Sequence, residues 1–370
     1  MKPSTLFTRA LKLGAVLAFV PVISQASDSF LNSLKHTTKV GSTVPSNGDV
    51  NPYGVAVVPV SSGALVAGHI LVSNFNAASN LQGTGTTIVD LAPNGTLKVF
   101  AQISASGLPG SCPGGIGLTT ALSVLRTGWV IVGSLPTADG TSATAKAGCL
   151  LVLNNHGEVV ETLSGAFGGV RINGPWDMTA LDLGPVAELF VTNVLNGTVA
   201  AKGGVVNQGT VVRIVLVIAP GKMPQEVLRT RIGSGFPEKT DPAALVIGPT
   251  GVSLGQDGTL YVADTVSNRI AAIPNAILRM GSAGAGKTVS TGGGLNGPLG
   301  VAVAPNGNIL TVNAGDGNAV EISPSGTQVA VKSIDTSGAG AGTLFGLAIT
   351  PNGKGVYFVD DGDNTLDRLH

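Results

Sequence analysis

Short apolar runs recur along this chain, and most end at glycine, proline or an Asn-Gly or Asp-Gly pair. Apolar runs this short, bounded by turn residues, predict β-strands. They fall into a repeating unit. Each unit opens with a Gly/Pro-rich turn and a short apolar strand, then passes a glycine turn into a second apolar strand with a polar end. The openings are Asn51-Pro52-Tyr53-Gly54, Gly115-Ile116-Gly117, Gly174-Pro175-Trp176-Asp177, Gly248-Pro249-Thr250-Gly251, Gly297-Pro298-Leu299-Gly300 and Leu344-Phe345-Gly346. The second strands are residues 70–74, 130–134, 189–193, 260–264, 310–314 and 357–360. Spacing varies from about 45 to 75 residues, yet the order holds six times. Third and fourth strands follow in most units, as at residues 87–91 and 97–103 around Pro93-Asn94-Gly95. The glycines after Asn94, Asp257, Asn306 and Asn352 suit tight turns that need positive φ.

Six units of up to four antiparallel strands predict an all-β fold, a six-bladed β-propeller with four-stranded antiparallel blades. Packing the blades in a ring buries both apolar faces of each and leaves only short edges. The sequence stops at His370, three strands into the sixth unit. Residues 36–42 are β-prone and have no other place, so they are expected to supply the missing outer strand and close the ring. The domain reading is residues 27–370 as one propeller, with 27–50 as the N-terminal closing segment and 51–370 as the blades.

Residues 249–270, from Pro249 through Asp264 to Ile270, resemble the NHL repeat closely; the later units fit less strictly and the first three loosely. The wider group of propellers similar to it includes gluconolactonase-like and streptogramin-lyase-like enzymes and many exported proteins. The gluconolactonase resemblance implies one cation held by carboxylate and amide ligands, with a glutamate at the opening of the first blade. Here that opening is Asn51-Pro52-Tyr53-Gly54, without a glutamate. The lyase resemblance implies a working histidine. None of His36, His69, His156 and His370 lies in an opening turn or beside a second-strand end. Fold alone does not choose among these activities.

Composition narrows the classes. Twenty-one Lys and Arg balance 21 Asp and Glu, and charged residues are only 11% of the chain, so no basic face is available for nucleic acid. With 43% hydrophobic residues the chain can bury a core. Glycine, 54 of 370 residues, serves as punctuation and shows no collagen period. Residues 1–26 read as a secretory signal: Lys2, Arg9 and Lys12, then the largely apolar residues 13–23, then Ser24-Gln25-Ala26 as a small-x-small cleavage pattern. The mature chain is expected in the periplasm or outside the cell, without a membrane span and as a monomer. Cys112 and Cys149 are expected to form a disulfide in that compartment, two buried thiols being the alternative.

Four features bear on a site. Residues 281–288 satisfy the phosphate-loop pattern, but no helix can follow them, so they are read as a loop between blades four and five. The second-strand ends Asn74, Ser134, Asn193, Asp264, Ala314 and Asp360 form a ring on the usual ligand face of a propeller. Oxygen donors in a ring suit a calcium-like divalent cation, with Asn193, Asp264 and Asp360 as the candidate ligands. The same side chains also serve turns by bonding nearby N–H groups. At the openings, Tyr53, Trp176 and Phe345 belong to an apolar rim suited to an organic ligand. The next position is glycine in five units and Asp177 in the third, so Asp177 is the sharpest anomaly; capping a local turn or pairing with Arg171 is its structural alternative. The favoured function is a binding or interaction scaffold for a small molecule, a polysaccharide or a protein. The alternative is a metal-assisted lactonase or lyase at the channel mouth.

Overall fold

Four Asn-Gly or Asp-Gly turns share one geometry. In each the glycine takes φ between 66° and 86°, while the Asn or Asp oxygen accepts the N–H two residues on, as Asn94 does from Thr96 and Asp257 from Thr259. Such turns close hairpins, and the hairpins build the blades. A computed structural model of the protein describes residues 29–370, so the signal sequence read at residues 1–26 lies outside the described residues.

The fold is a six-bladed antiparallel propeller. Blade one is Val50–Val57, Ile70–Asn76, Thr87–Leu91 and Leu97–Gln102, from the axis outward; blade two is Leu118–Val124, Val130–Ser134, Cys149–Leu153 and Val159–Leu163. Blade three is Pro175–Asp182, Val186–Asn193, Val206–Val217 and Gln225–Asp241, with Leu245–Ile247 added to its outer strand. Blades four and five start at the inner strands Pro249–Leu254 and Pro298–Val303. Inner strands run from an upper face to a lower face, and the Asn-Gly and Asp-Gly turns sit on the lower one. The second strands are the buried layer: every residue of Ile70–Asn76, Val130–Ser134 and Val356–Asp360 is buried.

Blade six has strands Leu344–Ile349, Val356–Asp360 and Thr365–Leu369 from the C-terminal end and Thr37–Ser42 as its outer strand. Thr37 pairs with Leu369 and Ser42 with Thr365, so the N-terminal strand closes the ring as its β-prone sequence predicted. A second contact holds that segment. The buried Glu321 carboxylate of blade five accepts from Ser29 Oγ at 2.6 Å and from the Phe30 and Leu31 N–H groups at 2.9 and 2.8 Å.

Cys112 and Cys149 form a disulfide, with Cα atoms 5.2 Å apart. It ties the loop before the inner strand of blade two to the start of its third strand. Three local readings change. The second strand of blade five is Ile309–Asn313, and Pro298 pairs with Asn313, so Asn313 rather than Ala314 holds the ring position. The inner strand of blade two begins at Leu118, beyond Ile116 and Gly117, and carries two extra residues between its Leu118 and Leu122 pairings, where blades four and five carry one. Residues 281–286 lie inside blade four, because Lys287–Thr291 is its outer strand.

Candidate functional site

The six inner strands surround a central channel, and its contents change from top to bottom. Uppermost are Tyr53, Trp176, Leu299 and Phe345. They do not form an open rim. Tyr53 stacks on Phe345 with centroids 3.9 Å apart and on Phe75 at 4.4 Å, and Trp176 approaches Tyr53 at 6.3 Å. Tyr53, Trp176 and Phe345 are each only 2% exposed. Burial, then the nearby Asp361 carboxylate, push the Tyr53 phenol well above its ordinary value. Large apolar rings gain most by burial, and here they gain it by plugging the axis.

The hairpin at the end of blade three completes the plug. Its tip, residues 241–245, reaches across the upper face to other blades. Pro242 O accepts from Gln82 Nε2 at 2.7 Å, Leu245 O from Ser142 Oγ at 2.8 Å, and Val246 O from Trp176 Nε1 at 3.0 Å. Leu245, buried beside the aromatic group, takes φ 61°, a left-handed conformation that a leucine adopts only under constraint. The upper end of the channel is closed.

Below the plug the channel is a cavity of about 290 Å³. Its polar groups are Thr120, Ser123, Asp177, Thr179, Asp182 and Ser253; the remaining wall is aliphatic, with Gly346. Asp182 stands at the lower end and is engaged by the N–H groups of Arg126 and Gly184. Asp177 lies deep, 8% exposed, at the floor formed by the plug. Its Oδ1 accepts from the Met178 N–H at 2.7 Å and its Oδ2 from the Val252 N–H at 3.1 Å. Burial raises its pKa to about 7, against the pull of those two N–H groups. Arg171 is exposed in the strand Val170–Ile172 and makes no ion pair among the described residues. Thr120 also lines the channel, and its buried hydroxyl has no hydrogen-bond partner.

Glycine replaces aspartate in the sister blades because the neighbouring blade comes too close. A Cβ on Gly251 would stand 2.0 Å from Leu299 O, and one on Gly346 would stand 2.2 Å from Tyr53 O. The seam between blades three and four accommodates a side chain, and the side chain there carries a carboxyl.

The ring of second-strand ends is complete once Asn313 replaces Ala314, but its atoms face the loops. Asn193 Oδ1 accepts from the Asn173 and Gly174 N–H groups at 2.9 and 3.0 Å, and Asn313 Oδ1 from Asn296 N at 3.1 Å. Asp360 accepts from Thr336 and Gly362, Asp264 from Arg269 Nε at 2.8 Å, and Asn74 Nδ2 donates to Thr43 O. Each pins loop or strand backbone, or in Asp264 a cation, at the upper face. Among the described residues no group of three or more His, Cys, Asp and Glu is placed to hold a metal ion.

No protein-family model matches the chain, and no curated protein does. Solved structures do. A gluconolactonase from Xanthomonas campestris is 14% identical over 90% of this chain and 88% of that one, with a TM-score of 0.55. A calcium-binding protein, regucalcin, from Agrobacterium tumefaciens is 14% identical over 90% and 93%, with a TM-score of 0.51. A streptogramin B lyase is 14% identical over 90% and 97%, with a TM-score of 0.50. At these identities the likeness is one of fold: a six-bladed propeller shared with lactonase and lyase structures.

The sequence pattern singled out Asp177 but missed its surroundings. Thr120 was hidden by the extra residues in blade two. The closing hairpin left only a weak trace, the unusual length of the third unit.

Proposed function

We propose that the chain is an exported propeller that binds a small organic molecule in its central channel, reached from the lower face. One observation carries this reading: a single deep carboxyl, Asp177, ends an otherwise largely uncharged channel whose wall also includes Thr120 and Ser253. A cavity of about 290 Å³ is at the small end of ligand pockets. It suits a compact molecule with an apolar body and one hydroxyl or amine, better than a polysaccharide or a folded partner. The disulfide and the signal sequence read at residues 1–26 support export to the periplasm or beyond. N-terminal sequencing of the secreted protein should begin at Ser27.

A lactonase or lyase is the second reading, favoured by the Asp177 pKa of about 7, a value suited to proton transfer at neutral pH. The test is a thermal-shift and turnover screen with small amines, alcohols and lactones. Binding without turnover, lost in Asp177→Asn and in Ala348→Phe, which fills the channel, supports the scaffold. Turnover lost in Asp177→Asn supports the enzyme. Hits unaffected by both variants sink the channel as the site.

A further inference from the structure

A second cavity, of about 380 Å³, lies on the lower face where blades one and six meet. Blade one contributes Gly68 and Pro93; blade six contributes Lys354, Tyr357, Arg368 and His370. Strand pairing explains the grouping. Arg368 pairs with Tyr357 on one side and with Thr38 of the closing strand on the other, so the three side chains share one face of the sheet. His370 follows at the strand end, its Nε2 2.9 Å from Thr38 Oγ1 and its ring 6.0 Å from that of His36.

The charges here are not neutralised. None of Arg368, Lys354 and His370 takes part in any of the four ion pairs found among the described residues. Arg368 Nε is buried without a hydrogen-bond partner. Asp367, the neighbouring acid, lies on the opposite face of the strand, where Thr365 donates to it. Desolvation, then Arg368 and His36, hold the His370 ring below its ordinary pKa.

We propose that this groove is an anion site, taking a compact molecule with a carboxylate, phosphate or sulfate group. Arg368 binds the oxyanion, Lys354 screens it from the rim, and Tyr357 with the two prolines, Pro93 and Pro351, packs against any organic body. A guanidinium suits a planar carboxylate or a phosphate edge. The site is independent of the channel. Because it spans both the closing strand's blade and blade one, a bound anion also fastens the ring.

The experiment is calorimetry on the full chain at constant ionic strength with inorganic phosphate, benzoate and, as control, sodium chloride. His36 and His370 ring signals are followed by NMR in the same titrations. Phosphate or benzoate should bind and shift the His370 signals, chloride should not, and tighter binding of benzoate than phosphate would assign an organic carboxylate. Lys354→Gln, on an exposed turn, should weaken binding about three- to tenfold, and Arg368→Gln with Lys354→Gln should abolish it. Equal binding by Lys354→Gln and the parent, the same response to chloride, or no shift at His370 would overturn the site.

Discussion

The carboxylate of Asp177 accepts a hydrogen bond from the Val252 N–H, 3.1 Å away, and so joins the inner strands of blades three and four. At Gly251, Gly300 and Gly346 the seams instead bring a glycine against the backbone of the next blade. Asp177→Gly should leave the ring assembled, since glycine holds this strand position in blades one, four, five and six. It removes the side-chain acceptor of two buried N–H groups, Met178 and Val252, each a loss of about 1–3 kcal/mol. Urea unfolding followed by circular dichroism should show an unchanged native spectrum and a lower midpoint. A collapsed native spectrum would mean that blade three depends on Asp177 for folding.

Asp177 also sets a pH dependence. Its folded pKa of about 7 stands above the ordinary carboxyl value, so between about pH 4 and 7 the folded state holds a proton that the unfolded state has released. Its stabilising contribution is full below about pH 4 and is lost as pH rises through 7. The swing is on the order of 4 kcal/mol. Glu238 and Asp361, each raised to about 7, act in the same direction, so the comparison must be with Asp177→Asn. The variant should gain on the parent between pH 4 and 8. Parallel stability curves would contradict a buried, titrating Asp177.

The disulfide joins residues 37 apart in sequence. Closing a loop of that length contributes about 3–4 kcal/mol in the chain-entropy model. Cys112→Ser with Cys149→Ser should lower unfolding stability by that order and leave the propeller fold intact. A fall in melting temperature under reducing agent in the parent, absent in the double variant, checks the same bond.

Ring closure rests on Glu321 as well as on strand pairing. Burial raises its pKa, but hydrogen bonds from Ser29, Asn306, Asn308 and the Leu31 N–H outweigh burial and hold the carboxyl below its ordinary value. Its contribution is present at neutral pH and is lost on acidification through that lowered pKa. Glu321→Ala should cost about 2–4 kcal/mol, because it strips several buried donors of their acceptor. Hydrogen exchange should then rise first at residues 30–42. Unchanged protection there would show that the strand Thr37–Ser42 holds without the clamp.

The blade count was legible because each unit repeats a local requirement: glycine where backbone turns or crowds, and apolar residues where two sheets meet. Asp177 was legible for the same reason, as a carboxyl where blades one, four, five and six carry glycine. Register was not. Asn313 and Ala314 are adjacent, and only the pairing of Pro298 with Asn313 decides which ends the strand. The fate of the aromatic positions was not legible either. Tyr53, Trp176 and Phe345 come from three units, and whether they line a mouth or fill it depends on the hairpin that Leu245 and Val246 bring from blade three. The ring of Asn and Asp donors looked like ligands because turn service and metal service use the same oxygen atoms.

The most direct test of the channel assignment is carbon-detected NMR of aspartate carboxyls during titration with hits from the small-molecule screen. The account predicts that such ligands shift the Asp177 carboxyl signal, move its apparent pKa away from about 7, and lose affinity at least tenfold in Ala348→Phe. Ligands that leave Asp177 unmoved, and bind Ala348→Phe as tightly as the parent, would contradict it.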